Sequence, residues 1–269
     1  MFRSSVLCFL AVALFSVSKL PAQSDSQIVQ VIPPSARSVQ PPSPNASVEE
    51  LEQQGDVFRE KKNLLDALDY FRAALVKDPK NTRVQNKLGI TELIMLRYGD
   101  ARKSFERAIK MDRQFADAYN NLGVTEYEMH KYGKAIKLYE KSIELRPDCA
   151  SYYANQGAAY YARREFVKAG VSYERALKLD PTIFERTSRT GVAAQLPPTV
   201  EEKANFDYLL AKLFAKEGDK DRSLQYLRRA MEEGFKQIDN VYKDPEFEGL
   251  RSDARFSQLM AARPPGIPE

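Results

Sequence analysis

Between Ala118 and Met129, Tyr119, Leu122 and Tyr127 recur at helical spacing with the polar Asn120 and Glu126 between them. That pattern predicts an amphipathic helix. A second helix is predicted from Tyr132 to Leu145, where Ala135, Ile136, Tyr139 and Ile143 form one apolar stripe. Pro147 stops it, because proline lacks the N–H that a helix needs. The same hairpin pattern recurs along the chain. Gly55, Gly89, Gly123 and Gly157 are spaced 34 residues apart, and so are Ala67, Ala101, Ala135 and Ala169. Phe71, Phe105, Tyr139 and Tyr173 keep that period, as do Ala74, Ala108, Ser142 and Ala176. Pro79, Pro147 and Pro181 close three of the units, with Arg113 in the remaining slot. Four columns in phase over four units identify an internal repeat. Gly123 is predicted to stand where two helices approach too closely for a side chain. Each hairpin has an apolar face on both sides that only a neighbour can cover, so the units are predicted to stack into a solenoid.

Glycine, aromatic, alanine, aromatic, alanine and proline at this spacing resemble the tetratricopeptide repeat over units 48–81, 82–115, 116–149 and 150–183. The first unit carries Gly55, Phe58, Ala67, Phe71, Ala74 and Pro79; the fourth carries Gly157, Tyr160, Ala169, Tyr173, Ala176 and Pro181. The second departs at Glu92, where an aromatic is usual, and at Arg113; the third has Glu126 at the aromatic slot beside Tyr127. Leu51, Gln85, Tyr119 and Tyr153 stand where the family has an early tryptophan. The resemblance implies an all-α fold, a right-handed superhelical solenoid of antiparallel helix pairs whose first helices line a concave groove. It implies a non-catalytic scaffold that binds a protein or peptide there. Following the groove-facing positions gives three tracks: Lys87, Asn121 and Asn155; Ile90, Val124 and Ala158; and Leu93, Tyr127 and Tyr161, with Ile94 beside them. Lys87, Ile90, Leu93, Asn121, Val124, Tyr127, Asn155 and Tyr161 are therefore the expected binding residues. An asparagine amide both donates and accepts, and asparagines in this slot grip a peptide backbone in some members of the family. The carboxylate clamp of the chaperone-binding members is not matched, since Glu52, Asp56 and Ile90 occupy its positions. Two other readings stay open: these side chains are partly buried between adjacent first helices, or the chain's own proline-rich segment or insert fills the groove.

Residues 184–203, with Thr187 to Gly191 and Pro197-Pro198, interrupt the phase as an insert or linker. The helical pattern resumes over 204–237, a degenerate fifth unit that has Leu227 and Ala230 on the aromatic and alanine columns. Residues 238–262 are predicted to cap the array. Asp244 and Asp253 each begin a short helix there, with Phe247, Leu250, Phe256 and Leu259 facing inward. This resembles the tail that closes exported bacterial tetratricopeptide-repeat proteins. Asp253 and Arg255 are read as a salt bridge and cap, and residues 263–269 as a frayed tail.

Ahead of the repeats, Arg3 precedes an apolar run from Ser4 to Ser18, and Ala22 follows Lys19-Leu20-Pro21. That is the arrangement of a secretory signal peptide over residues 1–22, shorter than the roughly 20 apolar residues of a membrane span. An exported chain, periplasmic or secreted, is expected; an uncleaved anchor in the inner membrane is the alternative. Residues 23–47, rich in Pro, Ser and Gln, are predicted to be a disordered spacer. They end in the Asn45-Ala46-Ser47 glycosylation triplet.

Composition narrows the chemistry. The chain of 269 residues carries 41 Lys and Arg against 37 Asp and Glu with no long basic run, so no nucleic-acid partner is expected. Removing residues 1–22 lowers the formal charge from +4 to +2 and takes Cys8, leaving Cys149 alone. One histidine and two cysteines supply no zinc site and no triad, so neither metal nor cofactor is expected. His130 is read as an exposed, unpaired turn residue. The expected function is envelope assembly or tethering by protein binding. The alternatives are a structural part that binds through its convex face, and an envelope hydrolase built on paired carboxylates.

Overall fold

The computed structural model describes residues 41–185 and 199–262, and among these every regular element is helical, with no strand. Helices of 13 and 14 residues alternate: α1 (Val48–Glu60), α2 (Leu64–Lys77), α3 (Thr82–Ile94), α4 (Tyr98–Met111), α5 (Ala116–Glu128), α6 (Tyr132–Leu145), α7 (Ala150–Ala162) and α8 (Phe166–Leu179). Each odd helix pairs with the helix after it, and each even helix packs on the next pair. The result is the sequential stack of antiparallel hairpins that the period predicts.

Local chemistry sets the ends. Ser47 begins α1 with a capping box, its hydroxyl accepting the Glu50 N–H while the Glu50 carboxylate accepts the Ser47 N–H. Every hairpin turn uses one device. Lys62, Leu96, His130 and Arg164, again 34 residues apart, adopt left-handed conformations with φ of 61°, 59°, 58° and 61°. In each case the next N–H reaches the carbonyl five residues back, as from Asn63 to Phe58 and from Lys131 to Glu126, which satisfies the last turn of the first helix.

The glycine and aromatic columns form one joint. A Cβ at Gly123 would stand 2.6 Å from Cε1 of Tyr139, and the other three glycines meet Phe71, Phe105 and Tyr173 at 2.5 to 2.7 Å. Each bare backbone is covered by the ring of its own second helix. Ala67, Ala101, Ala135 and Ala169 have no exposed surface. These contacts hold each pair together, and packing of each even helix on the next pair supplies the burial that an isolated pair lacks.

The pair α9 (Val200–Lys216) and α10 (Lys220–Glu232) follows. Its first helix begins four residues ahead of the expected 204, because Thr199 caps it by accepting the Glu202 N–H. Gly218, at φ 81°, stands where the other turns carry their left-handed residue, and Asp219 N–H bonds back to Phe214. The join to α8 is aromatic: Phe206 meets Tyr161, Tyr173 and Phe184 edge-on at 5.9, 5.4 and 5.9 Å. Two 3₁₀ turns, Ile238–Tyr242 and Pro245–Phe247, then lead to α11 (Glu248–Arg251) and α12 (Ala254–Ala262). Phe247, Leu250, Phe256 and Leu259 are all buried in the same core as α9 and α10. Asp253 caps α12 and pairs with Arg255 at 2.8 Å. Asp244 does not cap as expected: its carboxylate accepts the Tyr208 hydroxyl at 2.9 Å and pairs with Lys212 at 3.1 Å.

The expected signal peptide, most of the spacer, residues 186–198 of the insert and the 263–269 tail lie outside the described residues. Among the described residues no helix is long and apolar enough to cross a membrane.

Candidate functional site: the inner face of the first helices

The first helices touch one another directly, α3 against α5 and α5 against α7. Where they meet, a side chain of one unit reaches back to a side chain of the unit before it, 35 residues earlier. Lys87 Nζ meets Glu52 Oε1 at 2.5 Å. Asn121 Nδ2 donates to Asn86 Oδ1 at 3.0 Å, and Asn155 Nδ2 donates to Asn120 Oδ1 at 2.9 Å. Asn120 in turn donates to Asn121 Oδ1 at 3.2 Å. The last three bonds join into a chain of amides, Asn155 to Asn120 to Asn121 to Asn86, that ties three units together.

This geometry corrects part of the expected site. Asn121 and Asn155 are 5% and 2% exposed, with their amides committed to neighbouring repeats rather than open to a ligand's backbone. Val124 is wholly buried, and Leu93 joins it in the core between α3, α5 and α6. Tyr161 is buried too, its hydroxyl donating to the Glu202 carbonyl at 2.8 Å and its ring set against Phe206. These five were expected on a free face. They are enclosed because adjacent first helices pack side by side and α9 closes over the end of α7. Lys87 is half-buried between Glu52 and Asp56. Burial pushes the Glu52 carboxyl up, but hydrogen bonds from Arg83 (2.7 Å) and Lys87 outweigh it and hold it below the usual range.

What stays accessible is a narrower ledge. Ile90 and Tyr127 are half-buried on the core of the second and third units, and Ile94 is 50% exposed at the end of α3. The Tyr127 ring tilts against Tyr132 at 5.2 Å. Burial pushes the Tyr127 phenol and the neighbouring Glu128 carboxyl up. His130, expected to be unpaired, has Nδ1 2.8 Å from the Tyr132 hydroxyl, which fixes the turn beside the ledge. An apolar and aromatic ledge with a carboxyl beside it can hold a partner's side chains through burial and a few polar contacts. Among the described residues no group of three or more His, Cys, Asp or Glu is placed to hold a metal ion.

The amide chain has a signal in the sequence. Asn86 and Asn120 form one 34-residue column, and Asn121 and Asn155 form the next column over. Neighbouring columns of complementary amides predict a bond from one unit to the next as readily as a grip on a ligand.

Residues 116–149, 150–183 and 86–129 each match family models described as the tetratricopeptide repeat. Residues 86–183 are tetratricopeptide repeats. Among solved structures, Pseudomonas aeruginosa PilF is similar at 21% identity and a TM-score of 0.51, with 77% of this chain and 82% of that one covered. That likeness is one of fold. The tetratricopeptide-repeat protein TTC0263 of Thermus thermophilus matches at 18% identity, TM-score 0.49, over 73% of this chain and 96% of its own. MamA from Desulfovibrio magneticus RS-1 matches at 16% identity, TM-score 0.49, over 71% and 96%. No curated protein matches the sequence. Within these repeats the described hairpins differ most from the family pattern in the second unit, at Gln85 and Glu92.

Proposed function

We propose that this protein is a non-catalytic scaffold that captures a protein or peptide segment on the inner ledge formed by Ile90, Ile94 and Tyr127. The observation that carries this reading is Ile94, a large apolar side chain half exposed one turn beyond the partly covered Ile90 on α3, with Tyr127 partly covered on the next first helix. Tyr127 offers wide contact area with a polar tip, as tyrosine does at many interfaces. Leu93, Asn121, Val124, Asn155 and Tyr161 serve the site from behind by fixing the spacing of the helices that present it. Lys87 does the same through its ion pairs. Tetratricopeptide-repeat folds generally act as interaction scaffolds without chemistry of their own, which favours this reading over an envelope hydrolase.

The apolar run before Ala22 supports an exported protein, periplasmic or secreted, that assembles or tethers envelope components; an anchored form is the alternative. A second reading has its own observation. Phe166, Val167 and Val171 on α8 are 50%, 84% and 66% exposed, an outer apolar patch that favours binding through the convex side.

Photo-crosslinking in the native host separates the two. A photoreactive residue at Ile94 is expected to give a discrete adduct that Tyr127→Ala removes. Adducts only from position Val171 would move the contact to the outer side and overturn the inner-ledge reading.

A further inference from the structure

Two of the second repeat's departures fall in one place. Gln85 stands in the slot of the family's early tryptophan and Glu92 in that of its aromatic, two turns apart on α3. They line a cleft of about 620 Å³ between α2, α3 and α4. The apolar part of its wall comes from Leu75, Pro79, Leu88 and Met111. Gln85, which lines the cleft, is 4% exposed, and its Nε2 is a buried donor with no hydrogen-bond partner. Glu92 is equally enclosed; one oxygen accepts the Ser104 hydroxyl at 2.6 Å, while the other has Arg72 only at 4.0 Å. Arg72, Lys103 and Arg107 stand exposed on the rim, opposed by Asp100. In the first unit Leu51 and Phe58 fill the corresponding slots with buried apolar side chains.

The occupant can be read from these demands. The Gln85 end needs an acceptor, because a buried N–H without one is unfavourable. The Glu92 end has a carboxylate oxygen able to accept a hydrogen bond from a hydroxyl. The wall between them, at Leu88, suits a ring, and the rim suits negative charge. A tyrosyl residue supplies all of these when acidic residues flank it: its carbonyl for Gln85, its ring for the wall, its phenol for Glu92.

We infer that the second repeat has a separate docking pocket, lined by Gln85, Leu88 and Glu92, that accepts a tyrosine side chain from an acidic segment of a partner protein. The pocket lies on a different face of α3 from Ile90 and Ile94, so it neither rests on the inner-ledge reading nor fails with it. The partner's tyrosine takes the place of the family's own aromatics.

The test is calorimetric titration of the full chain with the blocked pentapeptide DEYED, alongside DEFED and KKYKK. Binding of DEYED is expected, weakened at least fivefold in DEFED and absent for KKYKK. Gln85→Trp, which restores the family's aromatic, is expected to abolish DEYED binding without lowering the melting temperature. Should that variant fail to fold, Lys103→Glu with Arg107→Glu, both at exposed positions, is expected to weaken DEYED at least fivefold. Equal binding of DEYED and DEFED, tight binding of KKYKK, or no binding of DEYED at millimolar concentration would each overturn the proposal. So would undiminished DEYED binding by folded Gln85→Trp or by the double charge reversal.

Discussion

A methyl group at Gly123 would enter the ring of Tyr139, which has no exposed surface and little room to move. Overpacking of this kind costs about 1–3 kcal/mol, so Gly123→Ala is expected to lower the stability read by chemical denaturation by that amount. An unchanged midpoint would show that the glycine column is not a packing joint. The amide chain makes a second prediction. Asn120→Ala leaves the Asn155 N–H without its acceptor and the Asn121 carbonyl without a donor, a loss of about 1–3 kcal/mol. The glycines were legible in the sequence because a close approach repeated four times admits one explanation. The asparagines were misread because the same inner position serves a ligand in some tetratricopeptide repeats and the adjacent repeat here. Which use prevails depends on how tightly first helices pack, and 34-residue spacing does not contain that distance. The left-handed turn residues also escaped the sequence reading, since Lys62, Leu96, His130 and Arg164 share no chemistry that would mark them.

At the scale of elements, the helix pairs followed from periodicity, down to the limits of α6, while the C-terminal pieces followed only in part. Phe247, Leu250, Phe256 and Leu259 cover the end of the array as their spacing suggested, but Asp244 found Tyr208 and Lys212 instead of a helix N-terminus. The α9–α10 pair holds a buried acid that the pattern gave no reason to single out. Asp207 is 1% exposed, and burial pushes its carboxyl up to about 7 despite Arg229 at 3.1 Å, with Glu233 adding repulsion. A carboxyl that holds its proton to higher pH when folded than when unfolded contributes stability in full below its unfolded value. That contribution is lost as pH rises through the folded value. Glu92 and Glu128, also pushed up by burial, act in the same direction. The melting temperature is therefore expected to fall as pH rises from about 5 to 8, and Asp207→Asn to flatten that slope and melt higher than the parent at pH 8. A slope identical in the variant would contradict this account of α9 and α10.

For the molecule as a whole, the stack of hairpins was legible because each unit repeats the same few packing constraints. The binding surface was legible only as far as the first helices, since exposure depends on neighbours outside any one unit. Of the predicted residues, Lys87, Ile90 and Tyr127 retain accessible surface, and Ile94, on the same helix as Ile90, is more open. Export is a further expectation at this scale: N-terminal sequencing of the protein from its native host should begin at Gln23, and a retained Met1 would contradict cleavage after Ala22. The most direct measurement compares Asn121→Ala with Ile94→Asp, reading both melting temperature and recovery of the partner crosslinked at the ledge. Asn121→Ala is expected to lower melting while the folded protein still captures the partner; Ile94→Asp is expected to melt like the parent and lose capture. The reverse pattern, with capture lost through Asn121 and kept through Ile94, would show that the asparagines and not the apolar ledge hold the guest.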